Sequence, residues 1–280
     1  MKRPLSYILD FHRLNPPVPQ EHGAWFMLYV PLLTVLICFR SNPDVALLLL
    51  LTVTGAFFGQ HTAVLLIRDR ARPGSGPWLT LYGLIFAFGS ALLLVFYGLF
   101  DLIYLGVPAA VALIWLFTRS RFARKRIDRT FSGEILAIAG LALTAPAAAV
   151  AATGQMSQTA IGLWGLYVLF FGSSVLYVKM RIAAVQKKAG IVLKDRLVLG
   201  SGLLVYHAAL ALNLVAFYAA APIPGQFLLI GFAPILIRAA IGWTVLSNRL
   251  PNLKRVGLIE SAYTLWFSGW LTAAVTVLNT

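Results

Sequence analysis

Residues 117–130 read FTRSRFARKRIDRT, with six cations at Arg119, Arg121, Arg124, Lys125, Arg126 and Arg129. Apolar runs flank this stretch, at 102–117 before it and 135–152 after it. A loop this basic between two membrane-length segments is held on the cytoplasmic side. Working outward, seven further apolar runs stand at 22–39, 45–66, 78–97, 160–178, 197–220, 227–246 and 256–277. Each is close to the ~20 residues that a helix needs to cross ~30 Å of hydrocarbon.

Composition agrees. The 280 residues are 60% hydrophobic and 11% charged, with a mean hydropathy of +0.83. Soluble domains carry about 25% charged residues, so a water-soluble globule is excluded. The short alternating segments of a transmembrane barrel are not visible. The fold expected is all-α, a polytopic membrane bundle of nine transmembrane helices, with a tail at 1–21 and one membrane domain at 22–280.

The formal charge of +14 encodes topology rather than a nucleic-acid surface. Lys2, Arg3 and Arg13 lie in the tail. Arg68, Arg70 and Arg72 follow the second run, and the six cations above follow the fourth. Lys179, Arg181, Lys187, Lys188, Lys194 and Arg196 follow the sixth, and Arg249, Lys254 and Arg255 the eighth. Opposite-side loops hold Arg40 alone, and Arg238 falls inside a run. The distribution of positive charge therefore predicts a cytoplasmic N-terminus and an external C-terminus. Residues 1–20 are polar, carry Pro16, Pro17 and Pro19, and lack the apolar core of a signal peptide. The single cysteine, Cys38, allows no internal disulfide and reads as a packing residue.

Polar residues within membrane spans are costly and are functional candidates by default. Here they gather at the predicted cytoplasmic ends: Glu21 and His22 opening the first run, Gln60 and His61 in the second, then Glu134, Tyr177, Lys179, Arg181 and Glu260. Together they would line a polar cavity open to the cytoplasm. Glu21, Glu134 and Glu260 recur every four helices, and the plainer reading of each is a helix N-terminal cap. His207 and Asn213 lie deeper and read as interhelical packing contacts. Arg238 demands a partner, because an unpaired arginine costs roughly 2.5–3.5 kcal/mol on insertion. Pairing with Glu260 or Glu134 and holding an anionic ligand are equal readings. His22, His61 and Glu21 lack metal-ligand spacing, so no metal site is expected. The residues identify no cofactor, and the loop cations face lipid headgroups.

The nine-run layout, with large basic loops after the second and sixth, resembles the UbiA-type membrane prenyltransferases. The RxxxRP element of those enzymes has its counterpart in Arg68, Arg72 and Pro73, followed by Gly74-Ser75-Gly76. That likeness implies two aspartate-rich magnesium motifs, at 55–67 and 177–190. Neither stretch contains a carboxylate. Magnesium needs hard oxygen ligands, so the departure argues against magnesium-dependent prenyl transfer.

A nearer resemblance is to the YwiC-like bacterial membrane proteins, through Glu-His-Gly-Ala-Trp at 21–25 behind a proline-rich tail. It implies that Glu21, His22, Gly23 and Trp25 matter, and implies no activity. Gly23 would permit close approach, Trp25 would anchor at headgroup depth, and His22 could exchange protons near neutrality. The expectation is a cavity that binds an anionic amphiphile, isoprenoid or lipid-like. Arg68 and Arg72 would grip its head, with Glu21 and His22 as the acid–base pair of any reaction. A permease and a non-catalytic assembly factor are the alternatives.

Overall fold

The structure, a computed structural model, describes residues 16–19, 22–67, 74–122, 130–187, 190–248 and 253–278. Among them are ten α-helices: α1 His22–Cys38, α2 Pro43–Ile67, α3 Ser75–Val95, α4 Ile103–Phe122, α5 Phe131–Ala142, α6 Thr144–Thr153, α7 Gln158–Val185, α8 Leu193–Ala220, α9 Pro222–Thr244 and α10 Leu253–Leu278. A 3-10 turn, Phe100–Leu102, precedes α4. No strand occurs among the described residues. Because α5 and α6 are halves of one rod, these elements form nine rods, in the order of the nine apolar runs.

Six rods are long and apolar enough to cross a membrane: α2, α3, the α5–α6 rod, α7, α8 and α9. Their open faces are apolar too. Phe88 on α3 and Val205 and Leu212 on α8 are 68–71% exposed. A helix that stays apolar all round needs hydrocarbon on its outer side. The chain is a multi-pass membrane protein.

Local chemistry sets the helix ends. The Thr130 side chain accepts from the Gly133 N–H at 3.2 Å to start α5. Ser157 does the same for α7, accepting from Ala160 at 3.1 Å. Gly154, at φ 82°, closes α6 in the left-handed region. Pro222 stands at the first position of α9, where its missing N–H has no intrahelical partner to lose.

Two differences from the apolar pattern have physical causes. The fifth run breaks at Leu143. Pro146, in the first turn of α6, cannot donate to the Ala142 carbonyl, and the Leu143 N–H turns to Gly140 at 3.2 Å. The Thr144 hydroxyl then spans the break, donating to Leu28 on α1 at 2.8 Å and to Leu141 at 3.1 Å. Second, α4 and α7 run past their apolar stretches into basic sequence, to Phe122 and Val185. Lysine and arginine are good helix formers, so the helix continues into the basic sequence.

Within the bundle, α1 packs on α5, α6 and α10, and α7 on α5, α6, α8 and α9. The α2–α3 hairpin joins through α2 and α6. Buried alanines of α6 (Ala145, Ala148, Ala149, Ala151) let α1 approach closely. The central layer stacks Phe170 on Phe267 at 4.4 Å, with Tyr167 and Phe232 edge-on to Phe267. Lipid is as apolar as these rings, so fit and dispersion, not burial from water, hold the layer.

Candidate functional site

Two apolar clusters meet α7–α10. One contains Phe170, Phe171, Leu210, Ile235 and Phe267. The other contains Met180, Ala184, Leu203, Ala239 and Leu246. Between them every one of these four helices contributes a polar group: Ser173 and Ser174 from α7, His207 from α8, Arg238 from α9 and Glu260 from α10. This polar layer is the candidate site.

Arg238 is its centre. Its side chain is 9% exposed and its Nη1 pairs with Oε1 of Glu260. Nη2 donates to the hydroxyls of Ser173 at 3.3 Å and Ser174 at 3.5 Å. The guanidinium also lies 4.6 Å from the Tyr177 ring centroid and 5.8 Å from that of Tyr263, both within cation–π range. Nε is buried without a hydrogen-bond partner among the described residues.

The two serines orient their neighbours. The Ser174 hydroxyl donates to Oε2 of Glu260 at 2.5 Å. His207 Nδ1 lies 2.7 Å from the Leu203 carbonyl, which can only accept, so Nδ1 carries a proton. In the neutral ring Nε2 is then an acceptor, 2.7 Å from the Ser173 hydroxyl. The result is one continuous chain of polar contacts, from His207 through Ser173, Arg238 and Ser174 to Glu260. Arginine and glutamate balance, so the layer carries no net charge with the imidazole neutral.

Close backbone approach shapes this layer. A Cβ on Gly242, one turn past Arg238, would strike the Tyr177 ring. A Cβ on Gly200 would strike the Trp243 indole, whose Nε1 donates to the Arg196 carbonyl at 3.0 Å. Towards the basic helix ends, Lys179 on α7 pairs with Glu134 on α5 at 3.0 Å. Arg181 falls one turn past Tyr177, and its Nε is also buried without a partner among the described residues.

Glu134, Lys179, Arg181, Arg238 and Glu260 thus stand on α5, α7, α9 and α10 near one end of the bundle. Gln60 and His61 stand on α2, whose main partner is α3, apart from the four helices of this layer. Glu21, Arg68 and Arg72 lie outside the described residues, as does the His22 side chain. Around α1, Trp25 stacks on Tyr29 and meets Phe57 and Phe58 edge-on, while its Nε1 donates to the Pro19 carbonyl at 3.1 Å. That makes Trp25 a packing residue that ties the preceding segment to α1 and α2. A Cβ on Gly23 would meet no described atom within 4 Å. Asn213 donates to the Ala209 carbonyl of its own helix at 2.8 Å and stays exposed. Cys38 is a free thiol, 3.4 Å from the Thr272 hydroxyl. Among the described residues no three His, Cys, Asp or Glu side chains gather as they would around a metal ion.

Ser173, Ser174 and Tyr263 were not anticipated from the sequence. The one available signal was the adjacent pair of serines in the middle of α7.

Residues 18–149 match the family described as YwiC-like protein. That stretch runs from the segment ahead of α1 to the body of α6, and the polar layer of α7–α10 follows it in the chain. No curated protein and no solved structure matches the chain.

Proposed function

We propose that this protein sits in a bacterial cytoplasmic membrane with its N-terminus inside and its C-terminus outside, and that the basic end of a UbiA-like bundle binds the anionic head of an amphiphile. The ligand class is an isoprenoid or lipid carrying a phosphate or carboxylate, with its tail among the helices. The observation that supports this is a set of three guanidinium Nε donors, on Arg181, Arg196 and Arg238, buried without acceptors among the described residues. An orphaned buried donor costs about 1–3 kcal/mol. An anionic oxygen is the acceptor that arginine suits best. Arg68 and Arg72 would add to the grip from the loop after α2. If the ligand is chemically altered, Glu21 and His22 are the proposed acid–base pair.

Native mass spectrometry from mild detergent tests this reading. A co-purifying amphiphile mass is expected on the wild-type protein. It should be retained by His22→Ala, whose side chain is assigned to chemistry rather than grip, and depleted in Arg181→Gln. Wild-type protein that carries no amphiphile, even after incubation with total lipid extract, would refute it.

A permease is the second reading. It is favoured by the depth of His207, fourteen residues from the start of α8 and thirteen from its end, which puts polar contacts near the membrane midplane. Solute uptake into reconstituted vesicles separates it from the first.

A further inference from the structure

As the layer stands, Glu260 and two serine hydroxyls occupy the Nη1 and Nη2 ends of Arg238, and only Nε is left for a ligand oxygen. The two partners are unequally fixed. Arg238 is 9% exposed, held by two serine hydroxyls and faced by two tyrosine rings. Glu260 is 21% exposed and, among the described contacts, its carboxylate is held by Arg238 and one serine hydroxyl. It also lies seven residues from the start of α10 at Leu253, about 10 Å along the helix from that end. The partner able to leave is the glutamate.

We propose that Glu260 is a tethered anion which an anionic headgroup displaces from Arg238, and that each ligand bound brings one proton onto the site. This rests on the amphiphile-binding reading above. The argument is electroneutrality. Arg238 and Glu260 sum to zero. Adding a monoanion at Arg238 without a proton would leave the displaced carboxylate without its counter-ion in a low-dielectric interior, where an unpaired charge is costly. Protonating the displaced carboxylate restores the balance. Other titratable groups face the layer from its own helices: Tyr177 from α7, His207 from α8 and Tyr263 from α10. On α1, which packs on α10, the His22 side chain lies outside the described residues. The Lys179–Glu134 pair and Arg181 lie one to two turns along α7. Lys179 and Glu134 cancel each other. That leaves Arg181, about 10 Å along α7 from Ser174, as the described cation on α7 that could answer the displaced carboxylate in place of a proton. An absence of proton uptake on binding would show that it does. His207 keeps its ring bonds to Leu203 and Ser173. Glu260 is the group that loses its counter-ion, so the proton belongs there. The Ser174 hydroxyl that now donates to Glu260 can accept once the carboxyl carries its own proton.

Proton uptake on binding means that affinity falls as pH rises. The probe is hexadecane sulfonate, a monoanion that does not titrate, with hexadecyl phosphocholine as the zwitterionic control. Binding to the full-length protein in mild detergent should weaken as pH rises, by ~10-fold per pH unit where one full proton is taken up per ligand. Binding heats in buffers of different ionisation enthalpy should report one proton taken up. Glu260→Gln should bind at least as tightly as wild type and lose the pH dependence. His207→Gln should keep it.

Sulfonate binding with no proton uptake would overturn this inference while leaving the amphiphile site in place. So would a flat pH response in His207→Gln alongside a preserved one in Glu260→Gln. Equal binding of the zwitterion would overturn it too. Failure of the wild-type protein to bind the sulfonate at any pH would instead remove the binding reading itself. The buffer-heat measurement needs only wild-type protein, so it stands even if Glu260→Gln does not fold.

Discussion

Arg238 and Glu260 are each tolerable only because the other is there. Arg238→Leu leaves a carboxylate beside Ser174 with no cation on it, and Glu260→Leu leaves a buried guanidinium. Breaking a buried pair from one side costs ~3–5 kcal/mol, whereas replacing both partners by apolar groups is often neutral. Glu260 is one-fifth exposed, so its loss of partner belongs at the lower end of that range. The Arg238→Leu/Glu260→Leu double variant should therefore be more stable than either single one, read by reversible unfolding in mixed micelles. A double variant no more stable than the weaker single would show that charge is not what couples them. Arg238 was legible in the sequence, since a charge inside an apolar run demands a partner. Glu260 was legible as one of two candidate partners, though capping its own helix was an alternative reading. Ser173 and Ser174 were not. A serine in a helix can bond to its own backbone at little cost, so nothing in the pattern separates one that does from one that reaches another helix.

At the scale of the elements, the α2–α3 hairpin depends on two missing side chains. A Cβ on Gly55 would lie 2.9 Å from the Phe86 nitrogen and 3.0 Å from the Tyr82 carbonyl. Both are backbone atoms and cannot yield. A Cβ on Gly89 would run into Thr52, whose hydroxyl is fixed by a 2.7 Å bond to the Leu48 carbonyl. Gly55→Leu should part the two helices at a cost of ~1–3 kcal/mol. Gly59→Ala, whose Cβ would stand 3.6 Å from the Tyr82 side chain, should be tolerated. Thermal unfolding of the two variants side by side checks this, and equal midpoints would rule the close approach out as a source of stability. The apolar runs revealed how many rods there are and their order, because hydrocarbon admits few exceptions. They could not reveal where a rod continues into basic sequence, as α7 does to Val185. There the solvent changes but the helix propensity does not. Nor could they reveal the break at Leu143, since Pro146 sits in a stretch of unbroken apolar character.

At the scale of the molecule, charge placement gives the sidedness proposed here. Reporter fusions after residues 67, 122, 187 and 248 should read as cytoplasmic, and fusions after 97, 154 and 221 as external. The opposite pattern would invert the bundle and turn the polar layer towards the outside. The architecture also orders events during synthesis. The arginine of the polar layer is on α9 and its glutamate on α10, so the cation emerges from the ribosome about twenty residues before its counter-ion. The same late helix supplies the flank on which α1 rests. Until it arrives, α9 is a span with an unanswered charge and α1 a span with an open side. A nascent chain arrested between Thr244 and Glu260 should therefore stay cross-linkable to the insertion machinery, and be released to lipid only when the last rod docks.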